Sequence, residues 1–166
     1  AVMVASLAGC EKIGGKIVDW CPVYVYLRVT DGHDADLLDP ENPDNMIDGT
    51  TITFKGKTYE ASREIEDLMY PALETKAYLA RIYGLLLEKR KWAENGNAEG
   101  FCLVFGEIDG AADMDEDLVV TLPNGMTGTI HYHCSNHNER KIRCDRSWKL
   151  NGVKAEGNIF TFVVSN

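Results

Sequence analysis

Apolar and polar residues alternate most cleanly between Val23 and Thr30. Val23, Val25, Leu27 and Val29 fall on one side, and Tyr24, Tyr26, Arg28 and Thr30 on the other. This is the period of a half-buried strand, which Asp31-Gly32 ends. A long polar connection, His33 to Gly49, carries Leu37-Leu38 and two prolines, Pro40 and Pro43; connections of this length in compact domains are usually functional or mobile. Thr51 to Tyr59 reads as a second strand region turning tightly at Lys55-Gly56. Residues 60–93 support two readings. Leu79, Ile82, Tyr83 and Leu86 share a helical face among strong helix formers. Tyr83 to Lys89 reads equally as a strand paired through Asn95-Gly96-Asn97 with Phe101 to Glu107. We place a strand from about residue 81, because both neighbours are strands and sequential strands tend to pair, and leave room for one short helix within 60–93.

The segment from Asp117 to Cys134 predicts a hairpin whose register can be argued. A two-residue Asn124-Gly125 loop would set Leu118, Val120 and Leu122 on the face of His131 and His133. A three-residue loop, Pro123-Asn124-Gly125, instead pairs Leu122 with Met126, Val120 with Gly128 and Leu118 with Ile130. It suits a type I turn followed by a left-handed glycine, and it turns both histidines away from the apolar face. Lys141 to Leu150, a type I′ turn at Asn151-Gly152 and a last strand, Ile159 to Val164, close the chain, with Trp148 expected in the core near Phe160 or Phe162. Strands at this spacing, punctuated by Gly, Asn, Asp and Pro, predict a mainly β protein, an antiparallel sandwich without the helical crossovers of a parallel sheet.

The beginning of the chain has a different character. Ala1 to Ser6 are small or apolar, Leu7-Ala8-Gly9-Cys10 follows, and charge begins at Glu11-Lys12. This order resembles the lipobox of bacterial lipoproteins, at the end of a secretory signal. The resemblance implies lipidation of Cys10 and anchorage of the mature protein to a membrane; the competing reading is a buried amino-terminal strand, Val2 to Leu7. The expected organisation is a signal-peptide remnant over 1–9, a lipidated tether over 10–19 containing Gly14-Gly15, and a single β-sandwich domain over 20–166.

Composition narrows the partners. Among 166 residues, 26 are acidic and 17 basic, for a formal net charge of −9, which repels phosphate backbones and argues against nucleic acid. No later apolar run reaches the ~20 residues of a spanning helix, so the expected membrane attachment is the lipid on Cys10. Of five cysteines, assigning Cys10 to the lipid leaves Cys21, Cys102, Cys134 and Cys144. Four cysteines in an exported protein permit two disulfides in three connectivities. Equal offsets from Glu139 would set Cys134 opposite Cys144 across a hairpin turning about Asn138 to Arg140, so a disulfide there is open, as is the reading of all four as small buried hydrophobes.

Three further stretches carry a likeness: Asp36-Leu37-Leu38-Asp39-Pro40, Phe105-Gly106-Glu107-Ile108-Asp109-Gly110 and Trp148-Lys149-Leu150-Asn151-Gly152. With the lipobox, they resemble small cell-envelope lipoproteins of gut Bacteroidetes with immunoglobulin-like or prealbumin-like sandwiches. That resemblance implies an outer-membrane lipoprotein, on the periplasmic or the surface face, and no cofactor. Only Glu11-Lys12 follows Cys10, without a run of acidic residues, so the face stays open.

The candidate chemistry is sparse. His131-x-His133-Cys134-x-x-His137 holds three of the four histidines, and His131 and His133 share a strand face, the arrangement by which a strand offers two nitrogens to zinc with His137 swinging in as a third. No glutamate stands as an evident base. Acidic residues crowd two loops: Asp31, Asp34, Asp36, Asp39, Glu41, Asp44 and Asp48, then Asp109, Asp113, Asp115, Glu116 and Asp117. Asp113-x-Asp115-x-Asp117 begins like a calcium loop, but Leu118 and Asn124 occupy the positions that need glycine and a bidentate glutamate. Neither Gly-x-Ser-x-Gly nor a phosphate-binding glycine loop occurs. The expectation is therefore a non-enzymatic module that binds a protein or glycan, with Tyr24 and Tyr26 nominated as contacts. The alternative is a zinc-binding protein or zinc hydrolase using His131, His133 and His137.

Overall fold

A computed structural model of the chain describes residues 22–63, 84–92, 98–110, 112–137 and 143–165. The chain forms ten strands in these residues: β1 (Val23–Asp31), β2 (Thr51–Phe54), β3 (Lys57–Ser62), β4 (Leu85–Trp92), β5 (Ala98–Ile108), β6 (Met114–Thr121), β7 (Thr127–His137), β8 (Arg143–Leu150), β9 (Val153–Ala155) and β10 (Ile159–Val164). They hydrogen-bond in the order β10-β1-β5-β4-β3-β2-β6-β7-β8-β9. The protein is mainly β, and no helix occurs among the described residues. The expected lipidation site Cys10, residues 1–19 and Cys21 lie outside them, as do 64–83, the greater part of the 60–93 stretch that leaves room for one short helix, and Asn138 to Arg140, about which the hairpin was expected to turn.

Local chemistry accounts for the tight turns. Lys55-Gly56 and Asn151-Gly152 both hold positive φ at both central residues, 49° and 75° in the first and 51° and 82° in the second. Such turns match the twist of the flanking strands and close two-residue hairpins. The β6–β7 hairpin has the predicted register, Val120 opposite Gly128 and Leu118 opposite Ile130. Its three-residue loop is closed by the Leu122 amide on the Met126 carbonyl at 2.8 Å, with Gly125 at φ 85°. β4 and β5 also pair as expected, Lys89 opposite Phe101 and Leu85 opposite Phe105; residues 81–83, where the strand was expected to begin, lie outside the described residues.

Two features depart from the sequence expectation. The sheet is mixed: β1 runs parallel to β10 and β3 parallel to β4. Parallel neighbours need a long return. The segment between β3 and β4 is long enough to supply one, and β10 reaches β1 from the far end of the sequence. The β7–β8 register also differs by two residues, with Asn136 opposite Cys144 and Cys134 opposite Arg146. Cys134 and Cys144 are therefore diagonal neighbours on one face instead of directly opposed.

The two ends of this sheet come together over one core. Phe160 of β10 meets Trp148 of β8 edge-on with ring centroids 5.7 Å apart, and Trp148 lies over Tyr132 of β7 at 4.3 Å. Farther along the core, Phe105 of β5 contacts Phe54 and Tyr59 of β2 and β3. Leu27, Ile52, Leu103, Leu118, Val120, Ile130 and Tyr132 fill the space between and are fully buried. Strands remote in sheet order share this core because each presents one apolar face, and closing the sheet over itself removes those faces from water.

Candidate functional site

The long connection after β1 is fixed by its own acidic residues. Asp31 Oδ1 accepts the amides of His33 and Ala35, both at 2.8 Å, and Asp39 Oδ1 accepts that of Glu41 at 2.9 Å. Asp36 reaches farther: one carboxylate oxygen takes the Leu38 amide at 2.9 Å and the other the Phe101 amide of β5 at 2.7 Å. Asp48 forms a two-pronged ion pair with Arg63 at 2.9 and 2.8 Å. The ion pair with Arg63 holds Asp48 below the usual carboxylate range. These carboxylates close Asx turns and fasten the loop to the sheet, the ordinary use of aspartate in a turn-rich segment.

On the outer face of β6 and β7, the predicted histidines stand opposite aspartates, His131 facing Asp117 and His133 facing Asp115. His131 Nδ1 lies 2.8 Å from Asp117, and Asp115 Oδ1 lies 3.1 Å from both His131 Nε2 and His133 Nδ1. Chiefly through its hydrogen bond with His133, the Asp115 carboxyl is lowered. His137 turns to a different partner, Asp145 on β8 at 3.3 Å, beside Arg143 at 2.8 Å from the same carboxylate oxygen. The structure thus places His131 and His133 together and His137 apart. Among the described residues, no group of three or more His, Cys, Asp or Glu side chains has an arrangement that could hold a metal ion.

Cys134 and Cys144 meet on the core side of β7 and β8, their sulfurs 3.2 Å apart. Cys134 is buried and Cys144 partly exposed, and both are free thiols, as is the buried Cys102. Burial alone raises a thiol, yet for Cys134 the neighbouring Tyr132 hydroxyl, Cys144 sulfur and Arg146 guanidinium outweigh it and bring the group below its ordinary range. Cys144 is shifted upward, by burial and by Cys134. Cys102 is a different case, because burial pushes its thiol up to about 12.

The outer face of β1, β5 and β4 holds the nominated Tyr24 and Tyr26, half-buried against Trp92, Cys102 and Val104. Two arginines cross this face. The Arg90 guanidinium lies 4.2 Å from the Tyr26 ring centroid, and that of Arg28 lies 5.1 Å from the Trp92 ring. Each such stack contributes ~0.5–1 kcal/mol where water has access. Trp92 spreads over the backbone of Gly100, where an added Cβ would stand 3.0 Å from the indole nitrogen. A side chain at 100 would displace the indole. The sequence pattern puts Arg28 on one face with the tyrosines but does not show Arg90 and Trp92 as their companions. The usable signal was the alternation Glu88, Arg90, Trp92 along β4, which becomes informative only once β4 is known to lie one strand away from β1.

No helix among the described residues is long and apolar enough to cross a membrane. Comparison of the chain with protein-family models, with curated proteins and with solved structures finds no match.

Proposed function

We propose that this protein is a non-enzymatic binding module of the bacterial cell envelope, a small lipoprotein tethered through Cys10 that takes a protein or glycan partner on the outer face of β1, β5 and β4. The observation that carries the reading is the aromatic and guanidinium platform of Tyr24, Tyr26, Arg28 and Arg90, with Trp92 beneath it. Tyrosine and arginine concentrate binding energy at protein interfaces, because they bring large contact area and directional hydrogen bonds together. The same pairing suits a sugar, whose hydroxyls accept from the guanidinium groups that lie over the rings. The rings are braced from below by the sheet and from above by the arginines, so little side-chain freedom remains to be lost on binding. The Leu7-Ala8-Gly9-Cys10 motif supports the tether.

Two measurements test this reading. Metabolic labelling with a fatty acid should mark the protein and fail in Cys10→Ala; equal labelling of both would remove the anchor. Retention of the purified domain on glycan- and protein-coated surfaces should fall by about tenfold or more in Tyr26→Ala, the loss of a ~1.4 kcal/mol contact. Unchanged retention across Tyr26→Ala and Arg90→Ala would place binding elsewhere. Stoichiometric zinc in tag-free protein would favour the metal-binding alternative.

A further inference from the structure

We infer that Cys134 and Cys144 are a reversible thiol–disulfide pair, a modification site at the β7–β8 end of the core whose oxidant is a small-molecule disulfide. The sulfurs are already 3.2 Å apart, so closing a bond of ~2.05 Å asks about 1 Å of side-chain movement. The diagonal placement of Cys134 and Cys144, two residues from direct opposition, lies on one face of adjacent antiparallel strands, and strand twist brings one diagonal of each such pair nearer than the other. The two sulfurs are unequal in a useful way. Cys144 is partly exposed and can meet a reagent; Cys134 is buried beside Tyr132 and Arg146, where a thiolate is favoured. Arg146 pairs across the ladder with Cys134 and its guanidinium also reaches the Gly110 carbonyl at 3.4 Å, so it stands over the sulfurs from the rim of the core.

This inequality sets the order of steps. The Cys144 thiolate attacks one sulfur of the external disulfide, forming a mixed disulfide and releasing the first external thiolate. The Cys134 thiolate then attacks the Cys144 sulfur, forming the protein disulfide and releasing the second. The two protons of the protein thiols end on the two released thiols; the pair is oxidised by two electrons and the external disulfide is reduced by two. Cys102 stays out of this exchange, because it is buried and its thiol is held near 12.

The test is equilibration of the full chain with oxidised glutathione, acid quenching, alkylation and peptide mapping by mass spectrometry. The expected product is a linked pair of peptides carrying Cys134 and Cys144, reversed by dithiothreitol, with Cys102 alkylated only after unfolding. In Cys134→Ser, a glutathione adduct should accumulate on Cys144, because the resolving sulfur is gone; Cys134→Ala serves the same purpose should the serine variant fail to fold. In Arg146→Gln, the adduct should resolve several-fold more slowly, with the pH profile of that step moved upward. Cys134 and Cys144 both alkylated after oxidation, a bond from either to another cysteine, or no adduct on Cys144 in both Cys134 variants would overturn the inference.

Discussion

Replacing Gly128 with alanine tests the closure of the sheet over its core. Gly128 lies on β7, where an added Cβ would run into the Phe162 ring of β10, standing 3.0 Å from Cζ and closer still to Cε1. β7 and β10 are far apart in sheet order, so this contact exists only because the two ends of the sheet face each other. Overpacking of this kind costs ~1–3 kcal/mol. Alanine regains ~0.5–1 kcal/mol over glycine in a strand, which leaves a net loss of about 0.5–2 kcal/mol. In urea, with m of ~2 kcal/mol/M, the midpoint should fall by roughly 0.3–1 M. Phe162→Leu alone removes part of a buried ring and should cost ~1–2 kcal/mol. In that background the methyl at 128 has space, and Gly128→Ala should become neutral or stabilising, giving a coupling of about 1 kcal/mol or more in the double-mutant cycle. Equal costs of Gly128→Ala with Phe162 and with Leu at that position would refute the face-to-face packing.

Other consequences are independent of that contact. Asp36→Ala leaves the Leu38 and Phe101 amides without their carboxylate and should destabilise by about 2–3 kcal/mol, with Asp36→Asn losing less, as read by urea midpoint. The amides of Ala35 and His33 hold the Asp31 carboxyl low. Its contribution is therefore fully present above an ordinary carboxyl pKa of ~3.9 and is lost as pH falls through the lowered folded value, so the melting-temperature gap between the protein and Asp31→Asn should close in that acid range and stay constant above about pH 5. Folded protein at pH 8 should leave Cys102 unreacted toward an aromatic disulfide reagent and expose it on unfolding, since burial raises the thiol to about 12. Rapid reaction of folded Cys102 would contradict its placement beneath Trp92 and Tyr26.

Much of the local structure is written in short-range pattern. The alternation from Val23 to Val29 fixes which face of β1 is inward, and the three-residue loop Pro123-Asn124-Gly125 fixes the register of β6 and β7 residue for residue. What escaped is non-local. Ser135 to Arg140 looks like turn material, yet Ser135, Asn136 and His137 continue β7, and the Asn136 amide is anchored at 2.6 Å by Asp113, a residue that precedes β6. In that register Cys134 stands two places from direct opposition to Cys144. The parallel pairing of β1 with β10 is likewise invisible in either segment, because both alternate as any half-buried strand does. The candidate face was half legible for the same reason. Tyr24 and Tyr26 show their orientation locally, whereas Arg90 and Trp92 join them only through the order β1-β5-β4.

Site-specific photocrosslinking tests the functional reading most directly. A benzoylphenylalanine placed at Tyr24, on the protein in the cells that produce it, samples the outer face of β1, β5 and β4; the same probe at the exposed Val163 on β10 samples a different strand. A discrete protein or glycan adduct is expected from position 24, lost when Arg90→Ala and Tyr26→Ala are combined with the probe, with no matching adduct from position 163. The same adduct from both positions, or one from position 163 alone, would contradict that reading.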